Sequence, residues 1–368
     1  MVIFYIGKAS LIHITYEREN HPVNTTCCHP SAGGELINKG GGAAFMQTRT
    51  NHLLSEAAEL YPFDEKTIRL INSGKYSPND IYFFKKDDEN YILRIATHDE
   101  DHVFKTYAEM EWLDFLHKRG VPVSLPLPMK DGRLVATVIC NDKFHAVCAF
   151  EKADGRHCDR DEPNAWNDHV IEDWGFVLGS MHRETKDFKF SDERFVRRVF
   201  DGGDIDGSDV LDIAWAKVPA IYKYSKELIA KLLSLPRTKD TWGLIHNDLH
   251  QNNFLVKNNK VHAFDFDDSI YGYFALDIGV ALHHALHNAK GNLQSDAERI
   301  IAQFMRGYKR ANKLDEESLR SILYFMRYRQ LCNFGWCYPD NITEDEEYNI
   351  LNGFSLRDCK INEEIFLS

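Results

Sequence analysis

The 368-residue sequence lacks any run of about 18 apolar residues, the length a membrane helix requires, and its mean hydropathy is negative. A membrane-spanning class is therefore not expected. Its eight cysteines, at 27, 28, 140, 148, 158, 332, 337 and 359, contain no C-x-x-C spacing. That excludes a zinc knuckle or a dithiol redox centre and suits reduced cytosolic thiols. Residues 2 to 6 are apolar but too few for a secretory segment, and charged residues follow, so the expected location is cytoplasmic. Positive charge is short: 44 Lys and Arg stand against 56 Asp and Glu, giving a net charge of -12. With no basic patch to offset this, neither nucleic acid nor an anionic membrane is an expected partner. An acidic surface suits a cationic small molecule, and it equally serves solubility. Internal repeats are also missing.

The first 45 residues have no sustained period and hold Cys27-Cys28, Gly33-Gly34 and the run Gly40 to Gly42. They predict a disordered extension over 1–45, before regular sequence opens at Met46. Apolar, β-rich runs follow at Ile68–Ile71, Asp80–Lys85 and Tyr91–Ala96, with Asp87 to Asn90 turning the chain between the last two. Val103, Tyr107, Met110, Leu113 and Leu116 fall three or four apart, one face of a helix that Gly120 and Pro122 end. Two more strands, Leu134–Cys140 and Phe144–Phe150, flank Asn141-Asp142. Beyond Gly155 the pattern turns helical, with Trp166, Val170, Trp174, Val177, Leu178 and Met181 on one face and periodic stretches near 211–234, 295–311 and 315–337. A short strand-rich interruption spans 243–268. The order predicts an α+β chain of two lobes: residues 46–152 as a small antiparallel sheet of five strands plus one helix, and residues 153–368 as a larger, mainly helical lobe. A hinge near 150–155 and a ligand cleft between the lobes follow from that division.

Chemistry concentrates in His246-Asn247-Asp248-Leu249-His250-Gln251-Asn252-Asn253, followed after a short strand and turn by Ala263-Phe264-Asp265-Phe266-Asp267-Asp268. Phosphoryl transfer needs a carboxylate to orient the attacking hydroxyl and oxygen ligands to hold Mg²⁺ against the phosphates. Asp248 fits the first need, and Asn253 and Asp265 fit the second. Asp267 and Asp268 read equally as further ligands for a metal or cationic substrate or as solvated turn acids.

The strings H-N-D-L-H-Q-N-N-F and F-D-F-D-D-S-I-Y-G, with Leu276-Asp277-Ile278 downstream, resemble the aminoglycoside phosphotransferase family, which includes choline, homoserine and related small-molecule kinases. In that family the loop typically reads H-G-D-x-H-x-x-N. The resemblance spans roughly residues 65 to 340 and implies a bilobal, protein-kinase-like fold using ATP and Mg²⁺. Carried across, it makes Asp248 catalytic, Asn253 and Asp265 the Mg²⁺ ligands, His246 a loop brace and Asp277 a structural residue at a helix start. His250 reads as loop packing before substrate contact.

For the nucleotide, the resemblance implies a cation on the third strand paired with a helix carboxylate; Arg94 and Glu109 take those places, with Arg where Lys is usual. The expected phosphate loop, Asn72 to Asn79, carries one glycine, and its Ser73 and Gly74 amides are the phosphate-binding candidates. Phe150 to Ala153 resemble the adenine hinge, where Glu151 and Ala153 would serve through their backbone. Gly175 and Gly179 in G-x-x-L-G-x-M-H imply close helix packing. Arg327 and Arg329 in the C-terminal helices are candidate anchors for an anionic acceptor. The implied acceptor is a small-molecule hydroxyl of the aminoglycoside, amino alcohol, amino acid or sugar type, and oligomeric state is left open. A Ser/Thr protein kinase is the alternative, against which stands the lack of an A-P-E segment or long activation loop between Asp265 and Asp277. A silent kinase-like binding protein is a second, although Asp248, Asn253 and Asp265 are all present.

Overall fold

β-branched and aromatic runs build the first sheet: β1 (Arg69–Asn72), β2 (Asn79–Lys86), β3 (Glu89–His98), β4 (Val135–Cys140) and β5 (Lys143–Glu151), ordered β1-β2-β3-β5-β4 with antiparallel neighbours. The computed structural model describes residues 52–61, 63, 66–72, 79–98, 102–162, 165–203, 215–287, 292–337, 343–352 and 359–367. The expected extension over 1–45 and the candidates Ser73 and Gly74 lie outside them. Two-residue turns close the β2-β3 and β4-β5 hairpins. Asp87 and Asp88 have φ of 50° and 63°, and Asn141 and Asp142 have 52° and 57°. Short Asx side chains tolerate that left-handed backbone, whose twist matches paired strands.

Chain contacts divide the protein into two compact units. The first takes the described residues up to Asp154 and adds Phe188–Arg197. Its sheet carries α2 (Phe104–Lys118), which buries Met110, Trp112, Leu113 and Leu116, each such side chain stabilising the fold by about 1.5–3 kcal/mol. It also carries a helix the sequence pattern did not reveal, α1 (52–60). Leu53 and Ala57 of α1, with Tyr61, close over Tyr82, Phe84, Leu93 and Ile95, so the sheet has two helices rather than the expected one.

The second unit is mainly helical, with α3 (Asp168–Thr185), α4 (Pro219–Leu233), α5 (Phe274–His287), α6 (Leu293–Ala311), α7 (Glu316–Cys337) and α8 (Glu344–Asn352). Between them run β6 (Arg156–His157), β7 (Trp242–Ile245), β8 (Phe254–Lys257), β9 (Lys260–Ala263) and β10 (Ile270–Tyr273). β7 pairs with β10, and β8 lies between β6 and β9. The interruption among the helices thus runs to Tyr273, past its expected end. Asn167 caps α3 by accepting the N–H groups of His169 and Val170, and Asn292 caps α6 in the same manner. No helix among the described residues is long and apolar enough to cross a membrane.

As the glycine spacing implied, α3 and α6 meet backbone to backbone. A Cβ on Gly175 would stand 2.0 Å from the Phe304 carbonyl oxygen, and one on Gly179 would stand 2.9 Å from that of Tyr308. Gly307 answers from α6, where a Cβ would come within 1.8 Å of the Glu172 carbonyl oxygen. Forcing a methyl between two backbones costs about 1–3 kcal/mol. Gly175→Ala is expected to lower the unfolding free energy by that much, seen as a fall in the urea midpoint at an unchanged slope, and a midpoint equal to the parent's would refute the close approach.

Candidate active site

Residues 246 to 253 form the loop between β7 and β8, and a buried carboxylate fixes its entry. Asp277, in the first turn of α5, accepts the His246 N–H on Oδ2 and the Asn247 N–H on Oδ1, each at 2.8 Å. His182 of α3 reaches the same Oδ2 at 3.0 Å through Nε2, and its Nδ1 accepts from the Tyr308 hydroxyl at 2.8 Å. Asn312 in turn donates to that hydroxyl at 2.9 Å. Such a chain requires a neutral His182, which its burial favours by depressing the pKa. Asn247 has a φ of 68°, a left-handed value that glycine and asparagine adopt readily.

The structure brings the catalytic and metal candidates of the second unit together. Asn253 Nδ2 donates to the Asp248 carbonyl oxygen at 2.8 Å and to Asp248 Oδ2 at 3.1 Å. The Phe264 N–H donates to the Asn253 carbonyl at 3.0 Å, and Asp265 is the next residue along. His246 braces this junction: its Nε2 donates to the Phe264 carbonyl at 3.0 Å, while its Nδ1 faces the Asp248 N–H at 3.4 Å. Asp265 sits two residues past the end of β9 rather than on the strand, with φ at 67°, an uncommon value for a side-chain-bearing residue. Asn247 Nδ2 also bonds the Asp268 carbonyl at 3.2 Å, tying the acidic stretch to the loop.

A guanidinium and an imidazole flank the Asp248 carboxylate. Arg329 Nη2 donates to Oδ1 at 2.8 Å, and His250 Nε2 stands 3.4 Å from Oδ2. Burial alone would raise the Asp248 carboxyl; the charge and hydrogen bond of His250 and the charge of Arg329 outweigh it and hold the group at about 2. Arg329 also directs Nε and Nη2 at His284 Nε2, 3.0 and 2.8 Å away. The expected anchoring role for Arg329 therefore meets a different geometry: the residue is buried and its guanidinium is turned onto the catalytic candidate. Sequence reading missed its link to Asp248, and His284 altogether, because the contact spans 81 residues and only the unusual His283-His284 pair inside an apolar helix hinted at it.

In the first unit, Arg94 of β3 and Glu109 of α2 form a two-pronged pair, Nη1 to Oε1 at 2.9 Å and Nη2 to Oε2 at 2.6 Å. Both side chains are buried, so removing one partner costs about 3–5 kcal/mol. Glu151 ends β5 and donates its N–H to the Leu125 carbonyl, while the Lys152 N–H goes to Asn90 and Ala153 follows in coil.

Burial pushes the imidazoles of His182 and His246 below their usual 6.5, and those of His283 and His284 well below it. Below pH 6.5 the unfolded chain then binds protons that the folded chain refuses, so stability falls with decreasing pH, by up to about 1.4 kcal/mol per pH unit for each imidazole. Urea unfolding between pH 7.5 and 5 is expected to show this loss. A flat profile would mean the histidines are not held neutral.

Comparison with known proteins identifies the family. Residues 67–320 match the model of the phosphotransferase enzyme family. An amicoumacin kinase of Bacillus subtilis (strain 168) is 32% identical over 82% of this chain and 90% of its own length. Among solved structures, an amicoumacin kinase in complex with AMP-PNP, Ca²⁺ and Ami superposes with a TM-score of 0.71 at 24% identity, covering 88% of this chain and 95% of that one. A microcompartment-associated aminopropanol kinase gives 0.64 at 21%, covering 83% and 100%. These structural likenesses establish the fold. The chain belongs to the phosphotransferase enzyme family, and it is a kinase that takes an alcohol group as acceptor.

Proposed function

We propose that the protein transfers the γ-phosphate of ATP, with Mg²⁺, to a hydroxyl of a small molecule by direct in-line displacement. The observation that carries this reading is the hydrogen-bonded pair Asp248–Asn253 with Asp265 held beside it through Phe264. Asp248 orients the acceptor hydroxyl and receives its proton as the new O–P bond forms and the bond from γ-phosphorus to the bridging oxygen of ADP breaks. A carboxylate held at about 2 is a weak base, which suits a transfer in which the proton leaves late and positioning dominates.

The donor set fits Mg²⁺. Asn253 uses its Nδ2 on Asp248, which leaves Oδ1 as a neutral oxygen ligand, and Asp265 adds an anionic one. One carboxylate, one amide oxygen and substrate phosphates, with water completing the octahedron, are a set this ion takes. Bound there, Mg²⁺ would neutralise charge on the phosphate oxygens. The left-handed backbone of Asp265 supports the assignment, since strained conformations gather at such sites.

To the first unit, within residues 46–152, we assign nucleotide binding. Arg94, aimed by Glu109, engages phosphate oxygens, and the Ser73 and Gly74 amides are assigned to the same phosphates. With the Glu151 and Lys152 N–H groups already bonded, the base edge is left to the Glu151 carbonyl and the Ala153 N–H. Residues 153–368 supply catalysis and the acceptor site. The names of the relatives put amicoumacin and aminopropanol first among acceptors to test, followed by homoserine, sugars and aminoglycosides. A cytoplasmic location without nucleic-acid or membrane partners accords with the cysteine pattern and the net charge of -12.

ATP consumption over that panel is the test. One acceptor should stimulate ADP release, and Asp248→Ala should cut that rate by about 10²–10⁴-fold while ATP still binds. Full activity in Asp248→Ala would remove its assigned role. Asp265→Asn is expected to weaken nucleotide binding in Mg²⁺ but not in its absence, and unaltered metal dependence would overturn the ligand assignment.

A further inference from the structure

The surroundings of Asp248 are asymmetric. Oδ2 faces both Asn253 Nδ2, at 3.1 Å, and His250 Nε2, at 3.4 Å. Among the described residues Oδ1 meets Arg329 alone, at 2.8 Å. A carboxylate oxygen offers about two lone-pair positions, so Oδ1 is the oxygen with capacity left for an incoming O–H. Arg329 therefore holds the very atom that the acceptor hydroxyl must find.

The guanidinium is itself aimed. Its Nε and Nη2 both point to His284 Nε2, at 3.0 and 2.8 Å, so that nitrogen is an acceptor and the imidazole is neutral. One hydrogen of Nη2 goes to His284 and the other to Asp248, which fixes the fork in its plane. Arg329 comes from α7, His284 from α5 and Asp248 from the loop whose entry Asp277 of α5 clamps, so three elements meet at one carboxylate. His250 closes the group, its ring centroid 4.8 Å from that of His284. Arg329 also places a positive charge against Asp248, so that carboxylate presents less net charge to an approaching triphosphate.

We infer that Arg329, oriented by His284, is a positioning residue that fixes Asp248 with Oδ1 toward the acceptor hydroxyl. The inference rests on the proposed phosphotransfer chemistry and extends it to two residues that share no sequence motif with the loop. It implies a selective defect: turnover depends on the aim of Asp248, whereas nucleotide binding does not. A displacement of about 1 Å in a positioned group costs about 10²-fold in rate.

The test measures ADP release from ATP and Mg²⁺, with water alone as acceptor and with amicoumacin, in the full chain. Arg329→Met should lower kcat by about 10²-fold with the KM for ATP unchanged, and thermal melting confirms that each variant is folded. In the cavity left by Arg329→Ala, millimolar methylguanidinium should restore part of the lost rate. A second pair guards against a folding defect: His284→Gln keeps an acceptor for the guanidinium and should retain most of the turnover, while His284→Leu should share the Arg329→Met loss. Equal kcat in wild type, Arg329→Met and His284→Leu, with Asp248→Ala inactive, would overturn the inference and leave the phosphotransfer reading standing. A rate lost in parallel with KM, without guanidinium rescue, would also overturn it by showing a merely structural role. Full turnover in Asp248→Ala, or none in the wild type with water or with any acceptor of the panel above, would instead remove the functional reading on which it rests.

Discussion

A fully buried carboxylate organises the second unit. Asp277 accepts two successive loop amides, those of His246 and Asn247, and a third hydrogen bond from His182. An unpaired carboxylate in that position would be costly, so the groups that satisfy it are held in place as firmly as it holds them. The consequence is geometric. The backbone leaves β7 in a single direction, turns at Asn247 through a left-handed residue, and presents Asp248 to Asn253 five positions later. The close approach of α3 and α6 through Gly175, Gly179 and Gly307 serves the same end, because it brings His182 and Tyr308 into one hydrogen-bonded line behind the loop.

Electrostatics around Asp248 then suit a reaction with little covalent work for the protein. A strong base is unnecessary where the transferring group departs largely on its own and the protein mainly positions and neutralises. In the proposed reaction the Asp248 carboxylate, held low by His250 and Arg329 and bonded by Asn253, orients first. In the first unit the Arg94–Glu109 pair follows a similar logic, since a buried two-pronged ion pair fixes a guanidinium whose flexibility would otherwise have to be lost on binding.

Much of this was legible because the information is local. Asp248 and Asn253 lie within one loop, Asp265 follows one hairpin later, and Arg94 and Glu109 sit where a strand and an amphipathic helix are easily read. The left-handed turn at Asn247 went unread, although the residue stands where the family's loop carries glycine. What escaped was either short or distant. Helix α1 is only nine residues long; Leu53, Leu54, Ala57 and Leu60 do fall at helical spacing, but so short a segment is marginal alone and is held by packing against Tyr82 and Phe84. The contacts of Arg329 with Asp248 and His284 span 81 and 45 residues, and no spacing rule joins positions on different helices. Asp265 lies past the strand because, although the apolar run continues through Phe264, pairing stops at Ala263 and the Phe264 N–H goes to the Asn253 carbonyl.

The central claim is that Asp248, Asn253 and Asp265 converge on one magnesium-bound triphosphate, and a crystal structure of the protein with AMP-PNP and Mg²⁺ tests it most directly. The account predicts Asn253 Oδ1 and an Asp265 carboxylate oxygen both at about 2.0–2.1 Å from the same ion, with Asp248 facing the γ-phosphate and not ligating the metal. An ion held by other side chains, or Asp265 turned away from the phosphates, would contradict it.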